Sequence, residues 1–391
     1  MPSYFLTITQ GLSMPVLYPS RIQRAILGIA LLSGLIGLGG CTSRPDSAVL
    51  EPATIVQKNN DQVTVFAVTN RNQLGGHGGF GSEWASHLSY ERYGFSVPES
   101  RKGSTIVYPT AKPDPSRQYV VTAREKLADQ AFIDKITRST EFNGTVAVFV
   151  HGYNYSYQEA LFRTAQMAAD ANTIGLPILF SWPSAASVTG YVADRDAALY
   201  SRSELDRLLQ ALATAPKVKR VMVLGHSMGG FLTMEAVRQL KLQGHSDVLA
   251  KLEVVLAAPD IDVDVFRSQL RDIGRMRAPI TLLVAKTDRA LAVSSFIGGE
   301  RLRVGLLDID DPIVQKAAET EHVRIIDISS VESSDGLGHD RYAALARFEK
   351  QLSLAESRRE NGTNGVGAFV FDTAGAVVAS PFLLAGQLVR R

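Results

Sequence analysis

The ten residues "VMVLGHSMGG", 221–230, set one serine between two glycines directly after an apolar run. The run is typical of a buried strand and the residues after it favour a helix, so Gly225-x-Ser227-x-Gly229 falls at a strand-to-helix turn. The glycines allow a sharp, strained turn with close backbone neighbours, which leaves the serine hydroxyl exposed at the edge of a sheet. We therefore predict that Ser227 is a nucleophile.

The chain on either side alternates between short apolar runs and amphipathic segments. Apolar strands that alternate with helices form parallel sheets covered on both faces, so the sequence predicts an α/β fold with a mostly parallel central sheet and helices on both faces. The predicted strands are 63–69, 104–109, 118–123, 145–150, 176–181, 220–225, 252–258, 280–286 and 323–329. The predicted helices lie near 128–139, 156–171, 201–214, 227–242 and 340–355.

A serine is a poor nucleophile unless a histidine takes its proton and an acid orients that histidine. Where a serine occupies such a turn, the acid and then the histidine follow it along the chain. His339, in a glycine-containing loop past the last predicted strand, is preferred to His322, which opens that strand. Asp288, just past the strand 280–286, is the predicted acid. Asp260 and Asp262 are alternatives, and each of these aspartates is also placed to cap the next helix.

The attack of a serine on a carbonyl creates an oxyanion, which needs two backbone N–H donors. We predict Met228, which follows the nucleophile, and Tyr153 in the stretch "HGYN". His151 and His226 stand inside tight glycine turns and are predicted to have structural hydrogen-bonding roles. Trp182, in "FSWPS", is predicted to line the substrate pocket, with core packing as an equal alternative.

The N-terminal segment has the pattern of a secretion signal. Arg21 and Arg24 precede an uncharged apolar stretch, 25–40, that is shorter than the roughly 20 residues that span a bilayer. It ends in "LGGC", which resembles the lipobox of bacterial lipoproteins, and Cys41 is the only cysteine of the chain, so it has no disulfide partner. We predict that Cys41 is lipidated and that the protein is an exported, membrane-anchored lipoprotein facing the periplasm. Met14 is an alternative start.

The predicted organisation is a signal peptide, 1–40, a polar tether, 41–62, one globular domain, 63–355, and a tail, 356–391, to which no role is assigned. Without residues 1–40, which carry two arginines and no acid, 39 basic side chains stand against 39 acidic ones. This balance gives no reason to expect a nucleic-acid partner, and membrane attachment depends on the lipid. The glycine-rich stretch 75–81 lacks the lysine of a phosphate-binding loop, and no cofactor or metal is predicted.

Several short motifs occur together, in one order, over roughly residues 63–350. They are "TNRN" (69–72), "YGFSVPES" (93–100), "VFVHGYN" (148–154), "FSWPS" (180–184), "GHSMGG" (225–230), "AAPDID" (257–262) and "TDRAL" (287–291). This set resembles a bacterial α/β-hydrolase family of unknown function. The resemblance implies an α/β-hydrolase fold, and a Ser-Asp-His triad that Ser227, Asp288 and His339 would form here.

These observations favour a serine hydrolase that cleaves a carboxylic ester or related acyl bond through an acyl-enzyme. The substrate would be a small-molecule or lipid acyl compound that the sequence does not identify. A non-catalytic, lipid-anchored envelope or binding protein is one alternative, because a fold does not dictate a function. An acyltransferase that uses the same triad is another. Residues 183–200 are predicted to form a small cap, and the oligomeric state is left open.

Overall fold

The computed structural model describes residues 44–54, 60–75, 78–101, 103–171 and 175–345. The predicted signal peptide, Cys41 and the tail 356–391 lie outside these residues. Within the described part of the chain, no helix is both long and apolar enough to cross a membrane.

Nine strands form one sheet in the order β3-β2-β1-β5-β4-β6-β7-β8-β9. Strand β2 pairs antiparallel with β1 and β3, and every other pair is parallel. The predicted mostly parallel sheet is therefore confirmed. The strands are β1 Asp61–Gln73, β2 Phe80–Val97, β3 Val120–Leu127, β4 Thr145–Val150, β5 Leu176–Ser181, β6 Arg220–His226, β7 Leu252–Ala257, β8 Ile280–Val284 and β9 Val323–Asp327.

Helices connect the parallel strands and cover the sheet. They are α1 Asp129–Arg138, α2 Tyr157–Asp170, α3 Tyr191–Tyr200, α4 Arg202–Thr214, α5 Met228–Leu242, α6 Ser246–Leu249, α7 Val263–Ile273, α8 Arg289–Ile297 and α9 Pro312–Thr320. Short 3-10 turns occur at Ser47–Leu50 and Val304–Leu306. Residues 341–345 are also helical, and the rest of the helix predicted at 340–355 lies outside the described residues.

The sheet has a hydrophobic core on each face, because successive side chains of a strand point to opposite sides. On β4, Val146, Val148 and Val150 contribute to one core, whereas Phe149 contributes to the other. Helices α4, α5 and α7 supply buried side chains to the first core, and α2 with residues 341–345 supplies them to the second. Helices on both faces, as predicted, are therefore observed.

Parts of the chain outside the parallel sheet differ from the predictions. Residues 104–109 form no strand, and β2, which was not predicted, is long because it forms an antiparallel hairpin with β1. Within the predicted tether, Val49 and Leu50 are buried in the second core. These two apolar residues pack against the sheet, so this part of the predicted tether belongs to the packed fold.

All the loops that carry candidate site residues leave the same side of the sheet. Parallel strands end at one edge, which we call the carboxyl edge, and in open α/β sheets ligands bind there. Strand β1 runs parallel to β5, so the hairpin that joins β1 to β2 also projects from this edge. The fold thus brings sequence-distant loops together.

Candidate active site

Ser227 lies on a strained turn between β6 and α5. Its backbone angles are φ 54° and ψ −121°, a left-handed region that is costly for a residue with a side chain. The turn is held by three backbone hydrogen bonds: the Ser227 N–H donates to Ala257 O at 2.9 Å, and Ser227 O accepts from Gly230 at 2.9 Å and Asp260 at 3.2 Å. The surrounding backbone therefore offsets the strain at the serine.

Two glycines let other backbone segments approach this turn. A Cβ on Gly229 would clash with the carbonyl oxygens of Val150 and His151, where β4 ends. A Cβ on Gly152 would lie 3.0 Å from the Cβ of Ser227. The loop "HGYN" is therefore in van der Waals contact with the serine turn.

His339 and Asp288 are paired at the same edge. The Nδ1 atom of His339 lies 2.7 Å from Oδ2 of Asp288, whose carboxylate is buried. The other carboxylate oxygen of Asp288 accepts from Leu291 N at 3.0 Å, so this aspartate also caps α8. The ring of His339 packs on that of His226, the neighbour of Ser227, with centroids 4.6 Å apart. Asp288 and His339 are thus paired, and the His339 ring lies against the residue that precedes Ser227.

The carboxylate changes the acidity of the imidazole. Burial lowers the pKa of His339, but the hydrogen bond and charge of Asp288, with smaller effects from Asp335 and Asp260, outweigh it and leave that pKa above its ordinary value. Since Asp288 only accepts at this contact, Nδ1 carries the proton and Nε2 has the lone pair of a base.

The alternative residues have other surroundings. Asp262 caps α7 and pairs with Arg301, whose hydrogen bond lowers the pKa of Asp262 to about 2. Asp260 accepts from the hydroxyls of Tyr191, at 2.7 Å, and Ser294. His322 directly precedes β9 and so lies at the opposite edge of the sheet from Ser227.

The two predicted oxyanion donors flank the serine. Met228 is the first residue of α5, where backbone N–H groups are not used inside the helix. Tyr153 follows Gly152, the residue in contact with Ser227. Gly152 C=O and Tyr153 N–H belong to one trans peptide and point in opposite directions. Whatever holds that carbonyl therefore also sets the direction of the N–H.

His151 holds this peptide. Its Nδ1 lies 2.8 Å from Gly152 O, and its Nε2 lies 3.2 Å from Trp182 O and 3.5 Å from Nη2 of Arg71. Because the contact to Gly152 is the shorter of the two carbonyl contacts and Arg71 can only donate, we assign the proton to Nδ1. Its Nε2 then accepts, and the Ser181 hydroxyl lies 3.2 Å away. Burial and the nearby charge of Arg71 lower the pKa of His151 to about 3, so the ring is neutral. The predicted structural role of His151 thus takes a specific form, the fixing of the Gly152–Tyr153 peptide.

Arg71 joins the loops behind this peptide. The fully buried guanidinium donates to Ser181 Oγ at 2.9 Å, to Tyr155 O at 2.9 Å, and to the carbonyls of Ser184 and Gly81 at 3.0 Å. Burial lowers its pKa to about 9. Apart from "TNRN" as a family motif, nothing in the sequence marked this residue. Its neighbours Asn70 and Asn72 are polar, so the local pattern does not indicate that Arg71 is buried.

Asp194, on the cap helix α3, was also missed. Its buried carboxylate accepts from Asn154 N at 3.1 Å, Ser184 Oγ at 2.5 Å and Ala185 N at 2.6 Å. It therefore connects the "HGYN" loop to the loop after β5. A single acid on a helix gives no sequence signal of such a role, because most lie on the solvated face.

Of the two equal predictions for Trp182, the substrate pocket and the core, the structure supports the core. Its ring is fully buried, stacks on that of His151 at 4.9 Å between centroids, and donates from Nε1 to His151 O at 2.8 Å. The equal alternative, core packing, describes its surroundings, because the side chain fills the space under the "HGYN" loop. Within the described residues no cluster of three or more His, Cys, Asp or Glu side chains is arranged to hold a metal.

Known protein structures resemble this chain only distantly. No curated protein sequence matches the chain. A fungal esterase from Rhizomucor miehei is similar in structure at 12% identity and a TM-score of 0.32, over 89% of this chain and 98% of the esterase. Esterase Est22 is similar at 13% identity and a TM-score of 0.32, over 86% of this chain and 89% of Est22. These scores are too low to carry an argument about function.

A family model described as an alpha/beta hydrolase of unknown function, DUF900, matches residues 125–358. The match begins at β3 and includes all the strand ends that carry the candidate residues. Since it spans more than half of the chain, the protein belongs to this α/β-hydrolase family.

Proposed function

We propose that the protein is a serine hydrolase that cleaves a carboxylic ester or a related acyl bond. The observation that carries the proposal is the 2.7 Å contact between His339 Nδ1 and Asp288, with the His339 ring packed on His226, the residue before a serine on a strained strand-to-helix turn. A structural serine does not need such a turn, and a strained residue persists only where its surroundings fix it.

The chemistry follows from these positions. The Ser227 oxygen attacks the ester carbonyl while Nε2 of His339 takes its proton, and Asp288 stabilises the imidazolium that forms. The N–H groups of Met228 and Tyr153 would stabilise the oxyanion. The carbon–oxygen bond to the alcohol then breaks, and His339 returns the proton to that alcohol. Water attacks the acyl-enzyme by the same steps and releases the acid and Ser227.

A panel of p-nitrophenyl esters that differ in acyl length tests the proposal. The wild-type protein should release p-nitrophenol from at least one ester, with an initial burst if deacylation is slow. If an alcohol is added as a competing acceptor, acyl transfer would give a second product, the new ester, which mass spectrometry would detect. Absence of hydrolysis and transfer for every ester, with a folded protein, would contradict the proposal.

The pH dependence of hydrolysis should follow the proton on His339. Only the neutral ring can act as a base, so kcat/KM should be constant at high pH and fall as the pH drops through the pKa of His339. Because Asp288 leaves that pKa raised, the midpoint should lie above the ordinary histidine value of about 6.5. The measurement is kcat/KM for one soluble ester from pH 5 to 9, and a midpoint below 6.5 would disagree.

Replacing His151 with phenylalanine should impair the oxyanion site without changing the base. The substitution keeps a ring against Trp182 but removes the donor to Gly152 O, so the Tyr153 peptide is free to rotate. We expect kcat to fall by about 10²-fold, as for the loss of one oxyanion donor, with little change in KM. The pH midpoint set by His339 should stay unchanged. If the variant lost the same activity but unfolded at a temperature far below that of the wild type, the effect of the substitution would be purely structural.

We also infer, from the sequence alone, that the protein is exported and is held to a membrane by a lipid on Cys41. The support is the order of two arginines, a short apolar stretch and "LGGC". A lipid anchor together with a hydrolase site would restrict the substrates to those at or near that membrane.

A further inference from the structure

Exposed apolar side chains surround the candidate active site. In the cap, Val188 and Val192 are 71% and 70% exposed. At the end of α8, which Asp288 caps, Phe296 is 58% exposed, and Leu302 in the loop that follows is 52% exposed. Side chains of this size are rarely left in water as a group on a monomer, so a patch of them marks an interaction surface.

These segments are joined to one another and to the "HGYN" loop. The hydroxyl of Tyr153 donates to Val188 O, and the ring of Tyr153 meets that of Tyr191 edge-on at 5.5 Å. The hydroxyl of Tyr191 lies 3.0 Å from that of Ser294, two residues before Phe296. The exposed apolar groups therefore border the residues that contact Ser227.

An aromatic pair extends the patch to the β1–β2 hairpin. Trp84 and Tyr200 stack with ring centroids 4.5 Å apart and are 47% and 41% exposed. Trp and Tyr are the side chains enriched at membrane–water interfaces, where one part of the ring system is apolar and another is hydrated. We call the set the apolar rim: Trp84, Val188, Val192, Tyr200, Phe296, Ile297 and Leu302.

Pro45 and Ser47, near the start of the described residues, make contacts at this same edge. Pro45 O accepts from Gln158, in the first turn of α2, at 3.3 Å. A Cβ on Gly79, at the β1–β2 hairpin, would lie 2.6 Å from the Cβ of Ser47. Both contacts lie at the carboxyl edge, because α2 follows β4 and the hairpin follows β1. In the sequence, Pro45 comes four residues after Cys41.

We propose that the apolar rim rests on a lipid bilayer and that the enzyme takes its acyl substrate from that membrane. Pro45, Ser47 and the rim share one edge, so a lipid on Cys41 would hold the rim, and not the opposite edge, towards the bilayer. Burial of this exposed apolar surface then adds to the membrane affinity that the lipid provides. A lipid ester could reach Ser227 without leaving an apolar environment. The substrate part rests on the proposed hydrolase function, whereas the contact with the bilayer does not.

Tryptophan fluorescence of the full-length protein tests the contact directly. The chain has two tryptophans, Trp84 in the rim and the fully buried Trp182. On phosphatidylcholine vesicles with brominated acyl chains, emission from Trp84 should be quenched relative to unbrominated vesicles. Trp84→Phe should abolish the bromine-dependent quenching, because Trp182 is shielded in the core.

Matched variants separate the rim from general surface hydrophobicity. Val192→Ser with Phe296→Ser should reduce the quenching at least threefold. Leu242→Ser with Ile313→Ser, two positions 64% and 71% exposed outside the rim, should leave it as in wild type. Equal quenching in both double variants, or no quenching in protein that sediments with vesicles, would overturn the proposal. So would concentration-dependent shielding of Trp84 without lipid, which would make the rim a self-association surface. Because quenching needs no turnover, a failure of the hydrolase proposal would be seen separately.

Discussion

Ser227→Ala should reduce ester hydrolysis to the background rate. Loss of the nucleophile removes the acyl-enzyme route altogether, and in serine hydrolases that act through a triad this costs on the order of 10⁶ in kcat. Alanine can occupy the turn at φ 54° about as well as serine, because the strain lies in the backbone and the wild type already carries it. The measurement is p-nitrophenyl ester hydrolysis at saturating substrate, with thermal unfolding as a check of the fold.

Ser246→Ala supplies the matched control. Ser246 is an exposed serine that begins the short helix α6, away from the carboxyl-edge loops, and its loss should leave kcat unchanged. A Ser227→Ala protein that retained more than about one thousandth of the wild-type rate would show that another group performs the attack.

Asp288→Asn should lower kcat by about 10⁴-fold. Asparagine keeps an oxygen to cap α8 at Leu291, so the fold should be maintained. Its amide N–H₂ group, however, would donate to Nδ1 of His339, which places the imidazole proton on Nε2 and leaves no base facing Ser227. The loss is measured by comparing kcat of the variant and of the wild type at a pH above the midpoint of the wild-type pH profile.

The same substitution at Asp262 distinguishes the predicted acid from that alternative. Asp262→Asn should change kcat by less than threefold, because Asp262 caps α7 and pairs with Arg301 and has no contact with His339 among the described hydrogen bonds. If Asp262→Asn were as damaging as Asp288→Asn, the assignment of the acid would be wrong.

Most of the parallel part of the fold could be predicted because its strands carry mostly apolar runs that alternate with helices. Strands β4 and β5 begin and end where the sequence predicts, at 145–150 and 176–181. The long strand β2 could not be predicted, since its exposed outer residues, such as Glu83 and Trp84, break the apolar pattern. Its position depends on pairing with β1 and β3, and pairing of sequence-distant residues leaves little local signal.

The positions of the candidate triad could also be predicted, because parallel strands end at one edge and the order of the three residues limits the choice. The groups that support the site could not. Arg71 donates to the backbone carbonyls of Tyr155, Ser184 and Gly81, which lie on separate segments of the chain. Any residue type can supply a backbone carbonyl, so the sequence carries no signal of these contacts. For Trp182 the sequence showed only an aromatic residue at a strand end. Whether such a ring faces a pocket or the core depends on His151, which comes from another strand.

Labelling with a fluorophosphonate probe tests the central claim most directly, because the probe reacts only with a serine that a neighbouring base has activated. The wild-type protein should form one adduct, mapped by peptide mass spectrometry to Ser227, with labelling that weakens as His339 is protonated. Ser227→Ala should not be labelled. A folded wild-type protein that stayed unlabelled, or that was labelled at a different serine, would contradict the account.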